Sequence, residues 1–167
     1  MIEMDDKLVK KDRLRYTKNS LSASLTYLAI LLDVFFFVSI YKTDVCNYYY
    51  NWLIGVSIIY NLLFLLVGFL ASEGVKNYKV GYAYLLIAMG IGQFIRILII
   101  PMRAYGASVT LAGVEYIVMG TEQFTRCVVY LCLSGFFAIA AGIIAIIRTG
   151  TLRRYEESLL EKEENRG

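Results

Sequence analysis

The chain has 167 residues, of which 58% are hydrophobic and only 19% charged, and its formal net charge is +3. A soluble domain of this size is about half apolar and about a quarter charged, so this composition points to a membrane protein in one domain. Histidine is absent, which excludes catalysis or haem ligation that depends on it.

Residues 1–20 are polar and carry Lys7, Lys10, Lys11, Arg13, Arg15 and Lys18. Ile2, Leu8, Val9 and Leu14 give a modest apolar face, so a short helix along the inner membrane surface is expected. Four acidic side chains in this stretch are unusual for a signal-peptide n-region. A convincing small-x-small cleavage site after the first apolar run is also lacking. The first apolar run is therefore expected to be retained.

A transmembrane helix needs ~20 mostly apolar residues to cross ~30 Å of hydrocarbon. Residues 21–41, 48–71, 80–100 and 127–147 meet that length. The fold class expected is all-α: a polytopic four-transmembrane-helix bundle, residues 21–147, with an outer amphipathic segment and cytoplasmic terminal helices. The first outer loop is short, and Tyr41, Tyr48, Tyr49, Tyr50 and Trp52 crowd it. Rings of this kind anchor at headgroup level. Residues 72–79, with Gly74, form a tight inner turn, and Pro101 suits the end of the third span.

Residues 102–126 are too polar for a fifth span and too apolar for a free loop. From Val114 onward the spacing predicts a helix on the outer surface, with Glu115, Met119, Glu122 and Arg126 on one face. Residues 148–167 predict a cytoplasmic amphipathic tail lined by Leu152, Tyr155 and Leu159.

Lys and Arg set the orientation. Thirteen of them fall on the side of the termini: the six above, Lys76, Lys79, Arg148, Arg153, Arg154, Lys162 and Arg166. Only Lys42, Arg103 and Arg126 fall on the other. Both ends are expected in the cytoplasm, and the membrane is expected to be the cell membrane. The same bias accounts for the net charge, so no nucleic-acid partner is expected. The three cysteines are Cys46, Cys127 and Cys132. The hairpin geometry puts Cys46 and Cys127 near the outer face, where either a disulfide or free thiols are open.

Inside the spans, ionisable groups are functional candidates, because each costs ~2.5–3.5 kcal/mol at a span centre. There are two, Asp33 in the first span and Arg96 in the third. At ~1.5 Å per residue they lie at similar depth, and Ser57 and Ser134 fall at a similar level. Gln93 sits one turn before Arg96. Two readings follow: an Asp33–Arg96 ion pair that fixes packing, or a solute or proton site. Asn61, mid-span, is read as hydrogen-bonding a neighbouring helix. Ser134, Ala138 and Gly142, with Ala88 and Gly92 in the third span, mark close helix approach.

Several enzyme classes lack their residues. There is no Cys-x-x-Cys, no second intramembrane aspartate, no Walker A or dinucleotide fingerprint and no Asp cluster for Mg²⁺. An enzyme is not expected, nor is a cofactor or metal. The expectation is a non-catalytic accessory or structural subunit of a membrane complex such as a transporter. Its partners would be the lipid bilayer and other membrane subunits or further copies of itself. A small proton- or ion-coupled carrier using Asp33 is the alternative. The stretch Tyr27-Leu28-Ala29-Ile30-Leu31-Leu32-Asp33-Val34 resembles the first span of small multidrug resistance transporters. That resemblance implies an acid that binds protons and cationic drugs in turn, within a dimer. It covers about eight residues, and the polar N-terminus, the outer insert and Arg96 depart from it.

Overall fold

A computed structural model describes residues 18–40, 48–111 and 113–164. The basic N-terminal stretch before Lys18, the first outer loop with Cys46, and the side chains of the Tyr48–Trp52 cluster lie outside what is described.

Among the described residues, four helices are long and apolar enough to cross a membrane. They are α1 (Ser20–Ile40), α2 (Tyr48–Lys76), α3 (Val80–Ile99) and a fourth, α5 (Thr121–Glu164). Between α3 and α5 come a single turn, α4 (Pro101–Ala104), and two strands, β1 (Ser108–Leu111) and β2 (Val114–Ile117). The fold is an all-α four-helix bundle with a small β-hairpin at one end. The other end carries the start of α1, the α2–α3 turn and the far half of α5.

The helices form a ring in the order α1, α2, α3, α5. Helix α5 packs most extensively on α3 and α1, and α2 leans on α1 and less on α3. Thus α1 and α3 face each other across the bundle axis. The exterior is apolar: Leu62, Leu63, Leu66, Phe69 and Leu70 form an exposed face of α2. A monomer in water rarely shows so large an apolar patch; a lipid-facing helix needs one.

Small residues set the α3–α5 crossing. A Cβ added to Gly90 would meet the Gly135 carbonyl at 2.7 Å, and one added to Gly142 would meet the Ala83 carbonyl at 2.7 Å. Both carbonyls are backbone and cannot turn away, so only glycine permits this approach. Ala138, Ala141 and Ala145 continue the seam along α5. On α3 the seam runs through Ala83 and Gly90, whereas Ala88 is exposed and Gly92 faces Tyr60 of α2.

Asn19 starts α1. Its side-chain oxygen accepts from the Ser22 amide at 3.3 Å, an N-cap. The same oxygen accepts from Arg148 of α5 at 3.3 Å. The α2–α3 turn closes with Tyr78 at φ 58, and the Lys79 amide returns to the Gly74 carbonyl at 3.0 Å. Gly74 itself belongs to α2 and is needed for packing, because an added Cβ would collide with the Tyr82 ring.

Two expectations are corrected here. The insert is not a helix from Val114 onward: β1 and β2 pair antiparallel, Ser108 with Ile117 through Leu111 with Val114, and Gly113 turns the chain at φ 84. Val114, Tyr116 and Ile117 are β-formers that follow a glycine turn, and that local pattern prevails over the four-residue spacing. Of Glu115, Met119, Glu122 and Arg126, only Glu122 and Arg126 therefore share a helical face. Glu115 sits opposite Thr110 on the hairpin, Met119 is buried, and Glu122 pairs with Arg126 at 3.3 Å on the first turns of α5. The second correction concerns the tail, which is no separate helix. It continues α5 without a break to Glu164, a helix of 44 residues. At 1.5 Å per residue it is ~66 Å long, twice the ~30 Å of hydrocarbon.

Candidate functional site

Five polar side chains converge inside the bundle, drawn from all four long helices. Asp33 lies on α1, Ser57 on α2, Gln93 and Arg96 on α3, and Ser134 on α5; each is buried. One Asp33 carboxylate oxygen, Oδ1, accepts from Arg96 Nη1 at 2.8 Å and from Gln93 Nε2 at 2.9 Å. Arg96 Nη2 donates to Ser57 Oγ at 2.8 Å. Gln93 Nε2 also reaches Ser134 Oγ at 3.3 Å, and the Ser134 hydroxyl donates to the Ala29 carbonyl at 2.8 Å. Since α1 and α3 are diagonal in the ring, the Asp33–Arg96 pair crosses the bundle axis.

Helical spacing explains the convergence. Gln93 and Arg96 are three residues apart and share one face of α3. Ala29 and Asp33 are four apart on α1, so one carbonyl and one carboxylate serve the same cluster. Two rings complete it. The guanidinium carbon of Arg96 lies 4.3 Å from the Phe36 ring centroid and 4.6 Å from that of Tyr60. Both distances are within cation–π range.

Apolar layers close the cluster off at both ends. Toward the hairpin, Phe36, Ile40, Ile100, Ala104, Val118, Met119, Cys127 and Leu131 form one core. Val118 and Met119 come from the segment just after β2, so the hairpin end of the chain is folded into the bundle as a plug. Toward the termini, Ala71, Val75, Ala83, Leu86, Ala141 and Ala145 form the other core. Excluding water strengthens each electrostatic contact between these layers.

The structure thus brings Asp33, Arg96, Ser57, Gln93 and Ser134 together, and leaves Glu115, Glu122 and Arg126 outside, exposed at the hairpin end. Asn61 is buried, but neither of its amide atoms has a hydrogen-bond partner. The expected bond from Asn61 to a neighbouring helix is therefore not formed. Ser22 makes that kind of bond instead, donating to the Ala141 carbonyl at 2.6 Å. Cys127 is buried with a free thiol 3.8 Å from the Ser39 hydroxyl, while Cys46, the other half of the disulfide left open above, lies outside the described residues.

Sequence reasoning missed Phe36 and Tyr60, because a ring in a span reads as ordinary apolar filling. Phe36 lies three residues after Asp33 and Tyr60 three after Ser57, a spacing that could have placed both beside the pair. Asn19 stands just before the first apolar run, which is an N-cap signal in the sequence itself.

Among the described residues no group of three or more Cys, Asp or Glu could hold a metal ion. The cluster has one acid, one base, two hydroxyls and one amide. It can clamp helices together or move a proton, but no nucleophile–base pair is present in it. No protein-family model, no curated protein and no solved structure matches this chain.

Proposed function

We propose that this protein is a non-catalytic subunit of a membrane complex, a rigid helical scaffold spanning the cell membrane with both termini in the cytoplasm. The observation that carries the reading is how the intramembrane charges are used. Asp33 and Arg96 neutralise each other at 2.8 Å between two apolar layers. A carrier needs its acid exchanged between proton and cargo, with a path to water on each side in turn. Here the acid's partner is a guanidinium, which stays charged at any physiological pH. That weighs against the carrier reading of Asp33.

The long α5 supports an assembly role. Beyond Arg148 it runs a further 16 residues to Glu164, or ~24 Å. It carries an Arg153–Glu157 pair at 3.2 Å and exposed Arg154 and Glu156. A charged helical rod of this length suits docking to a cytoplasmic protein surface. The experiment is native mass spectrometry after affinity purification in mild detergent from the native membrane. A fixed ratio to a second polypeptide supports the reading. A chain recovered only as itself, and active alone, overturns it.

A further inference from the structure

The surroundings of the Arg96 head group are those of a cation receptor. Around it stand a carboxylate (Asp33), a hydroxyl (Ser57) and the faces of two rings, Phe36 and Tyr60. Carboxylate plus aromatic faces is the chemistry by which proteins recognise organic cations, and a planar guanidinium uses both at once. These groups come from α1 and α2, while the arginine comes from α3. The receptor therefore belongs to one half of the ring and its occupant to the other.

A second observation bears on the same place. Asp33 Oδ2 and Gln93 Oε1 are buried acceptors with no hydrogen-bond partner. Both side chains are completely buried, and both belong to the cluster that holds Arg96. Buried acceptors are normally satisfied. Asp33 Oδ2, on the receptor side of the ring, is thus an acceptor that the tethered arginine does not use. A free guanidinium ion, with no side chain constraining its tilt, has N–H groups to offer that second carboxylate oxygen.

We propose that Asp33, Phe36, Ser57 and Tyr60 form a binding site for a guanidinium-class cation, held occupied in the wild-type protein by the chain's own Arg96. Arg96 acts as a tethered ligand that keeps free cations out. The inference concerns the cluster described above but does not depend on assembly with a partner.

Chemical rescue tests it. In Arg96→Ala the site is emptied and Asp33 is left as a buried unpaired acid. Thermal unfolding of the detergent-solubilised variant is followed with added guanidinium or methylguanidinium chloride at millimolar concentration, against sodium chloride at equal ionic strength. A ligand at ten times its Kd raises stability by RT ln 11, a shift of roughly 3–6 °C for a protein of this size. The expected result is such a saturable rise in Arg96→Ala, none in wild type, and none in Asp33→Asn/Arg96→Ala. Recovery of folded Arg96→Ala only when the salt is present during purification counts equally in favour. No rise in Arg96→Ala, or the same rise in all three proteins, overturns the proposal. Should Arg96→Ala not fold under any condition, Arg96→Met supplies a second measurement. Tyr60→Leu should cost less stability in the Met background than in wild type, because the ring no longer faces a cation. An equal cost in both backgrounds overturns the cage.

Discussion

Removing one member of the Asp33–Arg96 pair should cost far more than removing both. At 2.8 Å the attraction is ~6 kcal/mol with an effective dielectric of ~20. Each charge costs ~2.5–3.5 kcal/mol to place at a span centre, so the two penalties together nearly equal the attraction. Arg96→Met removes the full ~6 kcal/mol of attraction and saves only the arginine's own ~3 kcal/mol, leaving a net loss of ~3 kcal/mol. Asp33→Leu should lose a similar amount. Asp33→Leu/Arg96→Met removes attraction and penalties together and should lie within about 1 kcal/mol of wild type, as replaced buried pairs often do. The assay is reversible unfolding in bicelles, read as a four-member double-mutant cycle. A double variant whose loss equals the sum of the single losses would refute the reasoning, because the two charges would then not be interacting.

The remaining predictions concern the frame around the pair. Gly90→Ala and Gly142→Ala each drive a methyl against a backbone carbonyl 2.7 Å away; each should lose ~1–3 kcal/mol in the same unfolding assay, whereas Gly55→Ala, in open space, should not lose stability. Ser134→Ala removes the bond to the Ala29 carbonyl and should cost ~0.6–1.7 kcal/mol, measured likewise. Asn19→Ala removes the α1 cap and the Arg148 contact; a loss of ~1 kcal/mol and faster amide exchange in the first turn of α1 are expected. The Cys127 thiol is fully buried and that of Cys132 only partly, so a small membrane-permeant maleimide should modify Cys132 before Cys127, as located by peptide mass mapping.

What the sequence makes legible here follows from what lipid demands. Four runs of about twenty apolar residues fix four helices, because no other open structure satisfies its backbone in hydrocarbon. The observed bounds of α1 and α3, Ser20–Ile40 and Val80–Ile99, fall within one residue of the spans expected. Depth counting from those bounds is what put Asp33, Ser57, Arg96 and Ser134 at one level. It could not say that Arg96 would lie against Phe36 and Tyr60, because which side of a helix faces inward depends on packing against the other three. Asn61 shows the same limit: its depth was readable, its lack of a partner was not. Outside the lipid the constraint weakens and local patterns compete. Glu115, Met119, Glu122 and Arg126 matched a helix by spacing, while Gly113 and the β-forming residues after it made a hairpin. The polar composition beyond Arg148 marks where the chain leaves the apolar span, not where the helix ends. Gly150 lies inside α5 without breaking it, since a glycine in a long helix costs only ~1 kcal/mol.

The most direct test of the account is proton release from the purified wild-type protein when a lipophilic organic cation is added in weakly buffered detergent. With Asp33 held by Arg96 between closed apolar layers, no release is predicted, and Asp33→Asn should give the same flat trace. A stoichiometric release from wild type that disappears in Asp33→Asn would contradict the account and make Asp33 the exchanging acid of a carrier.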